Sequence, residues 1–474
     1  MYAYLILIPF FSVIILNLPF RTTMKKAAFW ACLVLLLAQM CLVVFSAIFP
    51  GCSFFDIFKT LFKLDFTADN LSRVLLFSIA LILCVTLLVQ KSILGDKERI
   101  FNFVNMLLII LVGMNGIVMV RDIFSLYVFL EITAVSSFIL IGFNQDLDAF
   151  EAAFKYIILS VIATALMLSS IAIILLLAGD TSFSAIASTV RLSPHRLLIS
   201  LAVGIFLCAC FIKAGLMPFH GWLPDVYSAA PTSVSVLLAG IATKTVGVYT
   251  LIRIVNSVFV LDRSLQHLLL ALGAVSMIAG ALAALGQRDL KRMLAYSSIS
   301  QVGYIVLGLG AATPLGLAGA IFHVFNHAVF KSLLFVDSAA VELETGTVQM
   351  DKLSGLAKRM PVTGFTSVLA SLSCAGIPPL AGFWSKLIIV IALWASGHYA
   401  YAMLAVLASL LTLAYLLTMQ RKIFFGKLGQ DMAEIEEAGP VLMLPALILA
   451  VITVGVGLLF PFVSILLKGN LLGG

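Results

Sequence analysis

Apolar runs of about twenty residues follow one another along the chain, parted by short stretches where charged and turn-forming residues collect. A helix of that length rises about 30 Å, the thickness of a bilayer's hydrocarbon core, so each run predicts a membrane span. Fourteen are predicted: 1–20, 27–49, 70–90, 100–120, 122–143, 150–178, 197–219, 232–257, 264–286, 293–311, 314–340, 361–396, 399–420 and 439–467. Strands of a membrane barrel would be shorter and would alternate apolar with polar residues, which these runs do not. The expected fold is an all-α membrane protein of about 14 transmembrane helices. The segment from Met1 is apolar throughout, without a basic leader or a small-residue cleavage site, and is expected to be retained as a span.

Composition sharpens this picture. Of 474 residues, 62% are hydrophobic and 11% charged, where soluble domains carry roughly 25% charge. The longest polar stretch, Lys422 to Gly439, is too short for a soluble domain, so residues 1–474 form one polytopic membrane domain. Within it, N-terminal helices occupy 1–99, a first repeat about 100–257, a second about 264–420, and a last helix 439–467. The seven cysteines form no Cys-x-x-Cys pair, and all but Cys52 lie in apolar runs, where cysteine acts as a small hydrophobe. That argues against iron–sulfur ligation, haem attachment or a disulfide framework. Gly308 and Gly310 sit in a span with no preceding strand and do not point to nucleotides. The chain alone is expected neither to carry electrons nor to hydrolyse ATP, and to hold no cofactor of its own.

The net charge of +7 reads as topology, not as affinity for nucleic acid. If the loop with Arg21, Lys25 and Lys26 is cytoplasmic, alternate loops place fifteen basic residues on that side and nine on the other. An even number of spans then puts both termini outside, in a cytoplasmic (inner) membrane. Five basic residues are left over, all lysines within apolar runs: Lys155, Lys213, Lys244, Lys331 and Lys386. A charge at mid-membrane costs at least ~2.5–3.5 kcal/mol on insertion scales, so five together imply a paired or hydrated interior.

Two runs carry proline and glycine breaks close to one of these lysines. One is Lys213-Ala-Gly-Leu-Met-Pro-Phe-His-Gly-Trp-Leu-Pro224, the other Ala375-Gly-Ile-Pro-Pro-Leu-Ala-Gly-Phe-Trp-Ser-Lys386. Pro218, Pro224, Pro378 and Pro379 are expected to interrupt helices there, and backbone freed at membrane depth must be buried in protein or line a wet cavity. Paired broken helices point to inverted repeats with an ion site near the breaks. Simple kinks would explain the prolines but not the lysines.

Glu131 lies inside the fifth run. Charge balance pairs it with Lys213; at ~4 Å and an effective dielectric near 20 such a pair interacts by ~4 kcal/mol. Separating the two would release a proton from a desolvated lysine, which makes a switch; the alternative is a static structural pair. Lys244 is the next station. His323, His327 and Lys331 recur at steps of four and share one helix face, and histidine can pass a proton between its ring nitrogens. Zinc at the two histidines is disfavoured by the lysine beside them and the lack of an acid between them. Lys386 ends the series. Lys155 follows Glu151 by one turn, so a local pair competes with a transfer role, and His220 either faces the path or donates to a freed carbonyl. Asp225 is expected at a membrane edge, and Asp337, near a span end, is unassigned.

These residues resemble the antiporter-like, proton-translocating subunits of respiratory complex I, of multi-subunit cation/proton (Mrp-type) antiporters and of energy-converting membrane-bound hydrogenases. The likeness runs from about residue 65 to 460 through Leu126-Tyr-Val-Phe-Leu-Glu131, Glu151-Ala-Ala-Phe-Lys-Tyr156, Lys213 to Asp225, Ala230-Pro-Thr-Ser-Val, Asp289-Leu-Lys-Arg-Met-Leu-Ala-Tyr-Ser-Ser-Ile-Ser, Phe322 to Lys331 and Ala375 to Lys386. It implies fourteen helices in inverted repeats with the seventh and twelfth broken. It also implies a regulating pair at Glu131 and Lys213, a connecting lysine at Lys244 and a terminal one at Lys386. Such subunits work beside other membrane subunits, with iron–sulfur clusters, nickel–iron or flavin held by peripheral redox subunits. Gln301 stands where many complex I relatives place histidine, and no long lateral helix follows the last span, which resembles the antiporter and hydrogenase branches. The expected function is proton translocation within an energy-converting redox complex, a membrane hydrogenase or a complex I-like NADH-quinone oxidoreductase. Its rivals are a sodium/proton antiporter subunit without a redox partner and an inactive scaffold.

Overall fold

A computed structural model describes residues 3–18, 21–48, 67–259, 261–429 and 432–460. Lys59, Lys63, Lys468, Cys52, the side chains of Arg21 and Lys26, and the outer ends of the first and last predicted spans lie outside the described set. The helices, in chain order, are α1 (Tyr4–Leu16), α2 (Arg21–Ile48), α3 (Asn70–Ile93), α4 (Lys97–Met119), α5 (Ile123–Ile141), α6 (Leu147–Ala178), α7 (Phe183–Leu192), α8 (Arg196–Ala214) and α9 (Trp222–Ala229). They continue with α10 (Thr232–Ser257), α11 (Arg263–Leu285), α12 (Leu290–Gly310), α13 (Pro314–Thr345), α14 (Pro361–Ala375), α15 (Ala381–Ala395), α16 (Tyr399–Ile423) and α17 (Pro440–Leu458).

Twelve of the described helices are long and apolar enough to span a bilayer, and shorter apolar helices accompany them. The protein is a multi-pass α-helical membrane protein. Many spans begin at an aspartate whose side chain accepts from the first free N–H groups: Asp96 for α4, Asp122 for α5, Asp146 for α6, Asp262 for α11 and Asp289 for α12. Each satisfies donors that hydrocarbon cannot. α10, whose span window is wholly buried, widens into a π-helix over Leu238–Ala242 and again over Lys244–Tyr249.

Both expected breaks are present. α8 ends at Ala214, where Gly215 adopts φ +66°, and helix resumes at Trp222; α14 ends at Ala375, where Gly376 adopts φ +86°, and helix resumes at Ala381. Pro218, Pro378 and Pro379 lie in these gaps. Pro224 does not: it sits in the first turn of α9, where its missing N–H has no intrahelical partner to lose. The single run expected over 361–396 is thus two helices of 15 residues each. The amphipathic α7 has no counterpart among the expected spans.

The chain folds as two compact units. The first comprises residues 1–87, 94–214 and 241–261, the second 88–93, 215–240 and 262–474. Each contains a helix pair closed at one end by the same backbone clip. In the first unit Ile123 N donates to Thr181 O and Phe183 N to Arg121 O, tying the start of α5 to the end of α6. In the second, Leu290 N donates to Val348 O and Met350 N to Arg288 O, tying α12 to α13. Both clips start at an Arg-Asp pair, Arg121-Asp122 and Arg288-Asp289, and in each unit the next long helix ends at a break.

Candidate functional site: buried lysines and their partners

In the first unit, α5, α6 and α8 bring Glu131 and Lys213 together. Lys213 Nζ lies 3.3 Å from Glu131 Oε1 and 3.4 Å from Ser160 Oγ. Thr164 Oγ1 donates to the same Glu131 oxygen at 2.5 Å. The lysine side chain is 3% exposed and the carboxylate 30%, so the pair is closed on the lysine's side. Lys244 is fully buried at the first residue of the second π-helical stretch. Three residues on, Gly247 lets α10 touch α8 backbone to backbone: a Cβ there would fall 2.4 Å from Ala214 Cα and 2.7 Å from the carbonyl carbon of Lys213. The π-helix re-aims side chains relative to an α-helical frame, and the glycine sets Lys244 on the element packed against Lys213.

At one edge of this unit Arg253, 6% exposed, forks onto Asp69 at 2.6 and 2.9 Å, and Arg121 reaches Asp69 at 3.2 Å. Asp69 precedes α3. Burial alone would raise its carboxyl, but the hydrogen bonds and charge of Arg253 and the Arg121 charge hold it well below the usual carboxylate range. Lys155 pairs with Glu151 at 2.8 Å, both side chains substantially exposed. The structure therefore places Lys155 in the local pair and not in the buried cluster.

In the second unit, α12 to α16 surround His323, His327, Lys331 and Lys386, each at most 4% exposed. His323 Nδ1 lies 2.9 Å from Ser385 Oγ, and the His323 and His327 rings are 6.4 Å apart. Lys331 Nζ donates to Ser297 Oγ at 2.6 Å and Leu294 O at 3.2 Å. Ser297 Oγ in turn lies 2.6 Å from Tyr415 Oη and 4.0 Å from Cys374 Sγ. Lys386 Nζ donates to Cys374 O at 2.8 Å, at the end of α14 where the break frees carbonyls, and stands 4.4 Å over the Tyr304 ring. Tyr304 is fixed by a bond from its hydroxyl to Ala405 O at 2.6 Å. Among the described residues no carboxylate pairs with Lys331 or Lys386. Carbonyls, hydroxyls and an aromatic face take that place.

His220 lies by the first break, its ring 6.2 Å from Tyr296 and its Nδ1 without a hydrogen-bond partner. Asp225 pairs with Arg292 at 3.0 Å. Asp337, expected near a span end, lies within α13 at 3% exposure. Sequence reasoning missed the neutral partners Ser160, Thr164, Ser297, Tyr304, Cys374 and Tyr415. Hydroxyls in apolar runs are common enough in membrane helices that only their convergence marks these.

The family described as NADH:quinone oxidoreductase/Mrp antiporter, TM, matches residues 120–412. The D subunit of the Na(+)/H(+) antiporter of Alkalihalophilus pseudofirmus is 32% identical over 385 residues, 81% of this chain and 78% of that one. The N subunit of the NADH-quinone oxidoreductase of Desulforudis audaxviator is 34% identical over 366 residues, 75% and 73% of the two chains. Among solved structures, a chain of the Mrp complex from Dietzia sp. has the same fold, with a TM-score of 0.89 over 98% of this chain and 95% of that one at 24% identity. A chain of the membrane-bound sulfane sulfur reductase, an archaeal respiratory membrane complex, superposes with a TM-score of 0.83 over 99% and 96% at 25% identity. The chain belongs to the NADH:quinone oxidoreductase/Mrp antiporter family of transmembrane subunits.

Proposed function

We propose that this subunit carries protons across the membrane, using Glu131, Lys213 and Lys244 in its first unit and His323, His327, Lys331 and Lys386 in its second. The observation that carries the reading is the Glu131–Lys213 pair: an ammonium 3% exposed, 3.3 Å from a carboxylate that keeps some outward exposure. Burial disfavours a charged lysine and a nearby counter-charge favours it, so motion of Glu131 sets when Lys213 gives the proton up. Lys244 receives it. In the second unit, lysines held by carbonyls and hydroxyls can gain or lose a proton without stranding an anion.

Such a subunit needs an energy source outside itself. We place it in an energy-converting membrane redox assembly, of the hydrogenase or complex I-like kind, beside other membrane subunits and peripheral subunits that hold the iron–sulfur, nickel–iron or flavin groups. Its 34% identity to the N subunit of an NADH-quinone oxidoreductase supports this. The second reading, a Na+/H+ antiporter subunit without redox partners, is favoured by the 32% identity over 81% of the chain to the D subunit of an antiporter. Purifying the tagged chain with its partners distinguishes the two. Co-purifying iron and donor-driven proton uptake in vesicles support the redox assembly; sodium-driven proton movement with no bound iron or flavin supports the antiporter. Unaltered proton movement after Lys213→Ala in the assembled complex would refute both.

A further inference from the structure

Along α14 runs a row of buried polar side chains whose outer half plays no part in the relay above. Thr363, Thr366, Ser367, Ser371, Ser373 and Cys374 are each at most 4% exposed. At the outer end Glu437 caps the helix: its Oε2 accepts from Val362 N at 2.7 Å and its Oε1 from Thr363 Oγ1 at 2.6 Å. One turn further in, Thr366 Oγ1 donates to Asp337 Oδ1 at 2.8 Å. Beyond that, Gln420 Nε2 donates to Ser367 Oγ at 2.8 Å and Ser371 Oγ at 2.9 Å. The row ends at Cys374, whose carbonyl holds Lys386 and whose thiol faces the Ser297 hydroxyl bonded to Lys331.

Asp337 is the anomaly in this row. Its second oxygen, Oδ2, is buried without a hydrogen-bond partner, as are the hydroxyls of Ser338 beside it and Ser332 between it and Lys331 on α13. Helix–helix adhesion would be served as well by Asn or Ser, which leave no anion to desolvate. Asp337 lines one narrow crevice with Val362, Thr363 and Ala438, and Glu437 is the charged group acting on it electrostatically. Glu437 reaches the crevice through its bonds to Val362 and Thr363, and the charges of Glu436 and Glu437 act in turn on Glu344. Ser338 lies seven residues from Lys331, two turns along the same face of α13.

We infer that Asp337 is an inlet station for protons in the second unit. It takes a proton onto Oδ2 from the acidic rim of Glu344, Glu436 and Glu437. It then returns that proton, becoming carboxylate again, toward the α14 hydroxyls and, past Cys374, toward Lys386 and the Ser297-bound Lys331. Intramembrane carboxyls paired with hydroxyls commonly mark ion pathways. This inference rests on the proton-translocation reading, and its test keeps the two apart.

Asp337→Asn, Asp337→Glu and Lys331→Ala are introduced into the intact complex, and proton movement is measured in membrane vesicles. Asp337→Asn is expected to slow it by about tenfold or more, while Asp337→Glu keeps transport with a displaced pH profile, which a purely structural residue would not give. In the unmodified complex, dicyclohexylcarbodiimide, an apolar reagent for protonated carboxyls, is expected to label Asp337 less as the pH rises. Wild-type transport by assembled Asp337→Asn, with Lys331→Ala silent, overturns the inlet and leaves the translocation reading standing. Wild-type transport by both variants overturns that reading as well. If Asp337→Asn fails to assemble, the labelling decides: a pH-dependent adduct supports the inlet and its absence overturns it.

Discussion

Glu131 Oε1 receives two donors at once, the Lys213 ammonium at 3.3 Å and the Thr164 hydroxyl at 2.5 Å. The carboxylate is therefore held from α6 as well as from α8. Glu131→Gln keeps the shape and removes the charge, so proton movement in vesicles is expected to fall by about tenfold or more while the complex assembles. Thr164→Val is expected to cost less, about two- to threefold, because one neutral donor is lost at a charged acceptor. Dye-quench assays of both variants, normalised to complex content, check the order.

Backbone contact at Gly247 predicts a steep size limit. Gly247→Ala places a Cβ 2.4 Å from Ala214 Cα, where no flexible side chain can yield, so α8 and α10 must part. Overpacking of this kind costs about 1–3 kcal/mol. Gly204→Ala, on α8 with open space around its Cβ, is the control and is expected within about 0.5 kcal/mol of wild type. Thermal unfolding of the purified complex separates them.

Arg253 and Asp69 predict a pH dependence. Because the folded Asp69 carboxyl is held below its unfolded value of about 3.9, its contribution is complete above that value. It is lost as the pH falls through the lower folded value. Asp69 is 45% exposed, so solvent screening makes the contribution modest. Asp69→Asn is expected to lower the unfolding temperature at neutral pH and to flatten its acid-side decline. An unchanged acid limb would show that Asp69 does not titrate with unfolding.

Tyr304 offers two separable contacts: its ring under Lys386 and its hydroxyl on Ala405 O. Tyr304→Phe keeps the ring, and about 1 kcal/mol of stability is expected to go with the hydroxyl while transport persists. Tyr304→Leu removes the cation's aromatic partner, worth roughly 0.5–2 kcal/mol, and is expected to slow proton movement. Equal transport by both variants would mean that the ring plays no part.

Much of this arrangement was legible in the residues themselves. Hydrocarbon leaves an apolar run little choice but helix, so the spans could be read directly. Lysines in such runs demand partners, and charge balance alone pairs Glu131 with Lys213. The i, i+4 spacing likewise anticipates Glu151 and Lys155. What escaped has no local signature. The Arg-Asp clips join backbone some sixty residues apart, and the π-helix at Lys244 follows from packing against its neighbours. Pro224 was misplaced because proline suits a helix's first turn as well as a break, and α7 is too short and amphipathic to register as a span.

Lys386 leans on the carbonyl of Cys374, and Lys331 on Ser297, whose hydroxyl faces the Cys374 thiol; among the described residues no carboxylate pairs with either lysine. Two ammonium groups on either side of Cys374 would repel each other, so loading one would discourage loading the other. In the translocation reading proposed above, the site would then act as a relay with a single occupant. A proton arriving at one amine would settle only once its predecessor had moved on, which would turn a row of separate stations into an ordered queue.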